Sequence, residues 1–469
     1  MRRALSGMAC ALLASAVFAR PVVLEAQRVA APPAPRAGSR PAPRPVAPPP
    51  AGSTTGSADT LTTRFEVSGI PVILRRVTAN NVVAANLYLL GGVRQLTPET
   101  QGLELLLLEA SEWGTRKYPR EQLRTRMARL GSAIGVSPGV DWTSINLRAT
   151  SAGLDSTWAI LADRLMAPRL DTADVSLIKE QLLTAIRQQT DSPDALLDHL
   201  ADSIAFTGHP YALDPAGTET SVSRFTAADL RRYQTEQMVT SRMLLVVVGN
   251  VTRARVEALV RTTIGRLPRG SYQWTAPPAP PVLPSAYVTA TRQLPTNYLQ
   301  GTFHGPSATS PDYMALRLAC AVLSGRLFGE VRQRRNLSYS VNAPFVERAH
   351  AVGGLYVTTT QPDEVLAIMQ QQIRGLQEGI ITTDGLERLV QQFIVTYFLD
   401  NETNAEQANL LARAELYQGD YRRAAQFVQE LRAVTPQDIQ RVARRYLTRV
   451  RWAYVGDPAR VTPARLLRF

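Results

Sequence analysis

Apolar and polar positions begin to alternate at residue 65. Phe-Glu-Val-Ser-Gly-Ile-Pro-Val-Ile-Leu, residues 65–74, predicts a β-hairpin turning at Gly69. Residues 82–90 alternate only in part and predict a strand. Residues 101–115 follow a different rhythm. Leu103, Leu105, Leu106, Leu107 and Leu108 cover more than one face of a helix, which predicts a largely buried helix bounded by Gly102 and Gly114. An amphipathic helix over 120–130, strands at 135–137 and 143–150, and helices over 156–166 and 172–189 follow. Met243-Leu-Leu-Val-Val-Val-Gly-Asn predicts a closing strand, with a further helix starting near Thr252.

After a proline-rich stretch at about 267–284 the pattern returns. Asn146-Leu-Arg-Ala-Thr pairs with Leu355-Tyr-Val-Thr-Thr, Thr172-Ala-Asp with Thr382-Thr-Asp, and Phe225-Thr-Ala-Ala-Asp with Val434-Thr-Pro-Gln-Asp. The strand ending at Gly249 pairs with the one ending at Gly456, and the offsets stay near 207 to 210 residues. That spacing indicates two copies of one domain, because solenoid periods are roughly 20–50 residues. Strands followed by runs of helices within each copy predict an α+β fold, with helices packed on a mainly antiparallel sheet.

The chain has 469 residues, 45% of them hydrophobic and 19% charged, so it is globular in composition. The net charge of +13 is spread along the chain, with no dense basic run or aromatic-interleaved basic patch; no nucleic-acid partner is expected. Residues 1–26 have the charged start and short apolar run of a secretory signal. Residues 27–60 are rich in Pro, Ala and Arg and predict a disordered linker. With the signal removed, Cys320 is the one cysteine left and no membrane span remains. The four histidines, His199, His209, His304 and His350, include no pair at local zinc-ligand spacing.

Gly102, Leu103, Gly114 and Thr115 frame the leucine-rich helix in a way that resembles the signature helix of the pitrilysin/insulinase metallopeptidase family. Gly208-His-Pro-Tyr, Gly217-Thr-Glu-Thr and the block at residues 327–341 carry the resemblance further, over nearly everything from 61 to 458. In that family an inverted His-x-x-Glu-His motif supplies two zinc ligands and a general base. Here the two histidine positions fall on Leu105 and Glu109, the base position on Leu108, and the third-ligand position on Ala185. Leucine and alanine side chains cannot coordinate zinc or activate water. The His209 block is similar even in relatives with an intact zinc site, so His209 is expected to cap or orient its turn. The family's substrate-facing arginine and tyrosine, seven residues apart in the second domain, match Arg332 and Tyr339.

The resemblance implies two homologous domains, 61–268 and 287–469 joined by a linker at 269–286, forming half of a clam-shell chamber. It further implies an exported, zinc-free subunit of a heterodimeric zinc metallopeptidase, periplasmic by expectation. Such a subunit encloses unfolded peptides and supplies Arg332 and Tyr339 to the active site of a homologous partner bearing His-x-x-Glu-His. No cofactor is expected on this chain; zinc is expected on the partner. The alternative is a non-enzymatic peptide-binding or scaffolding protein of the cell envelope.

Overall fold

The structure, a computed structural model, describes residues 61–469; the signal and linker expected before them lie outside the described residues. Ser68 and Gly69 both take positive φ, 53° and 82°, which suits a two-residue hairpin turn. They join β1 (Thr62–Val67) to β2 (Ile70–Arg76), with Val67 opposite Ile70. With β3 (Val82–Leu90), β4 (Ala133–Ser137), β5 (Trp142–Thr150) and β6 (Met243–Gly249) they form a six-stranded sheet in the order β1-β2-β6-β3-β5-β4. A second six-stranded sheet contains β7 (Ala286–Thr291), β8 (Asn297–Ser307), β9 (Val341–Asn342), β10 (Phe345–Val346), β11 (His350–Thr359) and β12 (Arg451–Gly456). Its order is β10-β11-β8-β12-β7, with β9 also on β11.

Both sheets are mainly antiparallel, as expected, and each is mixed by a single parallel pair. β6 runs parallel to β2 and antiparallel to β3; β12 runs parallel to β7 and antiparallel to β8. The reason is topological. β2 and β3 run in opposite directions, so a strand inserted between them must be parallel to one of them. The inserted strands are also the most completely buried of their sheets. All seven residues of β6 and all six of β12 are buried, which requires cover on both faces.

One face of the first sheet is covered by its own helices, α1 (Leu103–Ser111), α2 (Arg120–Leu130), α3 (Leu154–Met166) and α4 (Thr172–Asp191) among them. The other face is covered from the opposite half of the chain. Ala408, Leu411, Ala412 and Leu416 of the helix Asn404–Gln418 pack on Ile73, Tyr88, Leu244, Val246 and Val248. The exchange is reciprocal. α5 (Pro193–Ala205), started by Ser192 accepting from the Ala195 N–H with Pro193 at its first position, leaves the first sheet and packs on the second. Its Leu197 and Ala201 cluster with Ala453 and Val455 of β12.

Polar contacts fix both exchanges. The Tyr88 hydroxyl donates to Asn409 Oδ1 at 2.7 Å, and Asn404 Nδ2 donates to the Val82 carbonyl at 2.7 Å. The Tyr356 hydroxyl donates to Asp194 on α5 at 2.6 Å. Buried Asp141 accepts from Tyr211 at 2.6 Å and from Tyr417, on the helix Asn404–Gln418, at 2.7 Å. The described residues from both halves therefore form one compact unit. Among them no helix is long and apolar enough to cross a membrane.

Candidate functional site

α1 keeps its glycine frame for backbone reasons. Gly102 sits in the left-handed region at φ 87°, and a Cβ there would lie 2.7 Å from the Ala216 carbonyl oxygen and 2.9 Å from Gly217 Cα. Only glycine tolerates both. The signature frame thus belongs to the fold of the segment 214–222 against the helix start, independently of metal chemistry.

Between the glycines, Leu105 and Leu108 are buried among the core residues. Glu109 is half-buried; burial, then neighbouring Glu112, raise its carboxyl above the usual range, while Arg164 opposes them. Ala185 is half-buried on α4, which packs on α1. The four positions present one carboxylate, two isobutyl groups and a methyl. Among the described residues, no cluster of three or more His, Cys, Asp or Glu could hold a metal ion.

Two polar anchors that local motifs did not reveal hold α1. Arg164 of α3, 5% exposed, donates from Nε to Ser111 Oγ and from Nη2 to the Leu108 carbonyl, both at 3.2 Å. Near the other end, buried Glu104 accepts from the Tyr233 hydroxyl and from Arg242 Nη2, each at 3.0 Å. These partners lie 53 to 138 residues apart in sequence, beyond the reach of any local pattern.

In the second half, the helix Asp312–Leu327 runs into a wider π-helical turn, Phe328–Gln333. Such turns re-aim side chains and are frequent at functional sites. Here the turn and the loop after it, with Asn336 at φ 52°, bring Arg332 and Tyr339 together. The Arg332 guanidinium lies 4.6 Å from the Tyr339 ring centroid and 5.2 Å from that of Phe328. Glu330 pairs with Arg334 and Arg335 rather than with Arg332. Tyr339 is 67% exposed, so the stack faces outward. It can offer a fixed positive charge, a forked donor set and a phenol to a polar ligand. Phe328, the third member, drew no attention in the sequence, where it reads as one more apolar residue.

Three histidines that are distant in sequence converge between the halves. His209 Nδ1 accepts from the Tyr211 N–H at 3.2 Å, capping its turn as expected, and its Nε2 lies 3.3 Å from the Pro278 carbonyl oxygen. His304 Nε2 lies 3.0 Å from the Ala205 carbonyl oxygen, and His350 bonds the Pro277 carbonyl. Burial holds all three below the ordinary imidazole value of 6.5. Arg348 adds to the effect at His209 and His304, and Asp141 opposes it at His209 and His350. A depressed folded pKa means that the unfolded chain takes the proton first, so the stability these rings contribute is full above 6.5 and falls on acidification. Glu109, Asp198 and Asp214, whose carboxyls are raised, act in the opposite sense. The histidine part is therefore read as a difference. Between about pH 7 and 5.5, wild type is expected to lose more thermal stability than His304→Gln. Parallel pH profiles for the two proteins would contradict this.

A family model described as "Peptidase M16 inactive domain" matches residues 224–393. The uncharacterised zinc protease YmxG of Bacillus subtilis is 20% identical over 393 residues, covering 81% of this chain and 94% of that protein. The chain is a homologue of the M16 peptidases. Mitochondrial-processing peptidase subunit beta of Blastocladiella emersonii is 22% identical over 411 residues, covering 82% of this homologue and 86% of that protein. The fold matches the crystal structure of a peptidase M16 inactive domain from Pseudomonas fluorescens with a TM-score of 0.78 at 18% identity, over 86% of this chain and all of the other.

Proposed function

We propose that this M16 homologue is the zinc-free subunit of a paired, exported peptidase. It forms half of a clam-shell chamber around unfolded peptides and presents Arg332 and Tyr339 to the active site of a homologous partner carrying His-x-x-Glu-His and zinc. The observation that carries the reading is the contrast between its two halves. The metal-ligand positions hold Leu105, Glu109 and Ala185 and the base position Leu108, so a lone carboxylate stands where the ligands and base would be, whereas Arg332 and Tyr339 remain in contact at 4.6 Å and face outward. A guanidinium and a phenol in that arrangement suit binding of a peptide carbonyl and of the oxyanion that develops during its hydrolysis. A relative that is itself the beta subunit of a processing peptidase supports the paired assembly.

The test is reconstitution with a homologous chain that bears the zinc motif. Arg332→Ala and Tyr339→Phe are each expected to lower turnover of an unfolded peptide by about 100- to 1,000-fold, the range for removing one oxyanion-stabilising donor. Assembly, followed by gel filtration, is expected to persist. Wild-type turnover in both variants would remove the catalytic contribution. The second reading, a peptide-binding or scaffolding protein of the cell envelope, draws on the buried leucines at one ligand position, Leu105, and at the base position, Leu108. Recovery of this chain from its native cells without any motif-bearing homologue would favour that second reading.

A further inference from the structure

A cleft of about 310 Å³ opens beside the C-terminal end of α1, bounded by α2, α3 and the edge strand β4. Small-ligand sites begin at roughly this size. Leu123, Met127, Ile134 and Ile160 give it apolar walls, and Arg164 and Glu112 supply charge at one end. We infer that this cleft binds a carboxylate carried on an apolar stem, with Arg164 as the anchor.

Arg164 is only partly satisfied by the protein. Its side chain is 5% exposed, so the guanidinium has lost nearly all of its water. Nε and Nη2 are used on Ser111 and on the Leu108 carbonyl. The remaining nitrogen, Nη1, has Glu112 Oε1 at 3.9 Å, beyond hydrogen-bond reach. Glu112 is itself 51% exposed and can turn to solvent. Nη1 thus has only a loose ion pair with Glu112, with half-buried Glu109 as the other nearby carboxylate. At the end of an apolar cleft, such a buried guanidinium is complementary to a single ligand carboxylate that displaces Glu112 and whose stem lies along the walls. Exposed Arg124 at the lining adds a second cation, with Glu121 4.0 Å away as its own partner. The same chemistry is carried by an acyl chain and by the end of a peptide with an apolar last residue. Neither requires a partner subunit, so this proposal stands apart from the paired-peptidase reading.

The experiment uses the full chain alone and four probes: octanoate, octanol, and a short peptide ending in leucine as its free acid and as its amide. Titration calorimetry is expected to give saturable binding of at least one acid, with its neutral counterpart about tenfold or more weaker. The tighter acid identifies the source of the ligand. Met127→Trp, which fills the cleft and leaves the Arg164 contacts in place, is expected to abolish binding while the thermal midpoint stays close to wild type. Arg164→Met is expected to erase the preference for acid over neutral probe; because Arg164 also holds α1, that variant is read only if it melts cooperatively. Absence of saturable binding by either acid, equal binding of acid and neutral probe, or binding that survives Met127→Trp overturns the assignment.

Discussion

Glu104→Ala is expected to destabilise the protein by about 3–5 kcal/mol, the range for removing one partner of a buried ion pair. The carboxylate has two donors, the Tyr233 hydroxyl and Arg242 Nη2, both at 3.0 Å. Arg242 is 1% exposed and cannot turn to water when its partner leaves. Its other donors are committed, Nε to the Leu90 carbonyl at 2.9 Å and Nη1 to Gln237 at 3.2 to 3.3 Å. Burial disfavours the Arg242 charge, but Glu104 and then Tyr233 outweigh it and the guanidinium pKa rises. Removing Glu104 therefore leaves an uncompensated charge in the core, which costs more than the pair itself contributes. Glu104→Gln keeps an acceptor for Tyr233 and is expected to fall between wild type and alanine. Urea unfolding checks this through the midpoint at unchanged slope. A loss below about 1 kcal/mol for Glu104→Ala would show that the site relaxes or admits water.

The second large effect concerns the halves themselves. Residues 61–268 produced alone are expected not to fold stably, and co-production with 269–469 is expected to restore a soluble one-to-one complex. Without the helix Asn404–Gln418, the first sheet would expose Ile73, Tyr88, Leu90, Leu244, Val246 and Val248 on one face. Burial of a large apolar side chain contributes about 1.5–3 kcal/mol. Six of them together match or exceed the whole stability of a typical domain, about 5–15 kcal/mol. The second half suffers the same loss without α5. Leu197→Ala, at a fully buried position of that helix, tests the contact within the intact chain and is expected to cost about 2–5 kcal/mol. A cooperative unfolding transition and a dispersed amide spectrum from 61–268 alone would refute the interdependence.

The candidate site was legible where its chemistry depends on spacing along one element. That Leu105 and Glu109 stand at the ligand positions and Leu108 at the base position was legible only through the resemblance of the glycine-framed helix to the family's signature helix, in which those residues lie three and four apart on one face. Arg332 and Tyr339 were found as a spaced pair, but their stacking needs the π-helical turn at 328–333 and the left-handed Asn336, neither of which has a local signature in this chain. The histidines carry the same lesson. No two stand at ligand spacing in the sequence, yet His209, His304 and His350 gather at one junction because three separate segments meet there.

What the sequence determined by itself is whatever short-range periodicity encodes: the Gly69 hairpin, the continuously apolar β6, the glycine-bounded α1 and the repeat with its offset near 207 to 210 residues. Tertiary structure alone decided three things. It inserted β6 and β12 beside parallel neighbours, at positions covered on both faces, where every residue of each strand is buried. It paired Glu104 with Arg242 and set Arg164 under the end of α1, since a buried charge finds its partner in space and not along the chain. It also exchanged α5 and the helix Asn404–Gln418 between the sheets. An apolar helix face fits any apolar sheet face, so which one it covers follows from the chain path and from side-chain contacts such as Asp194 with Tyr356 and Asn409 with Tyr88.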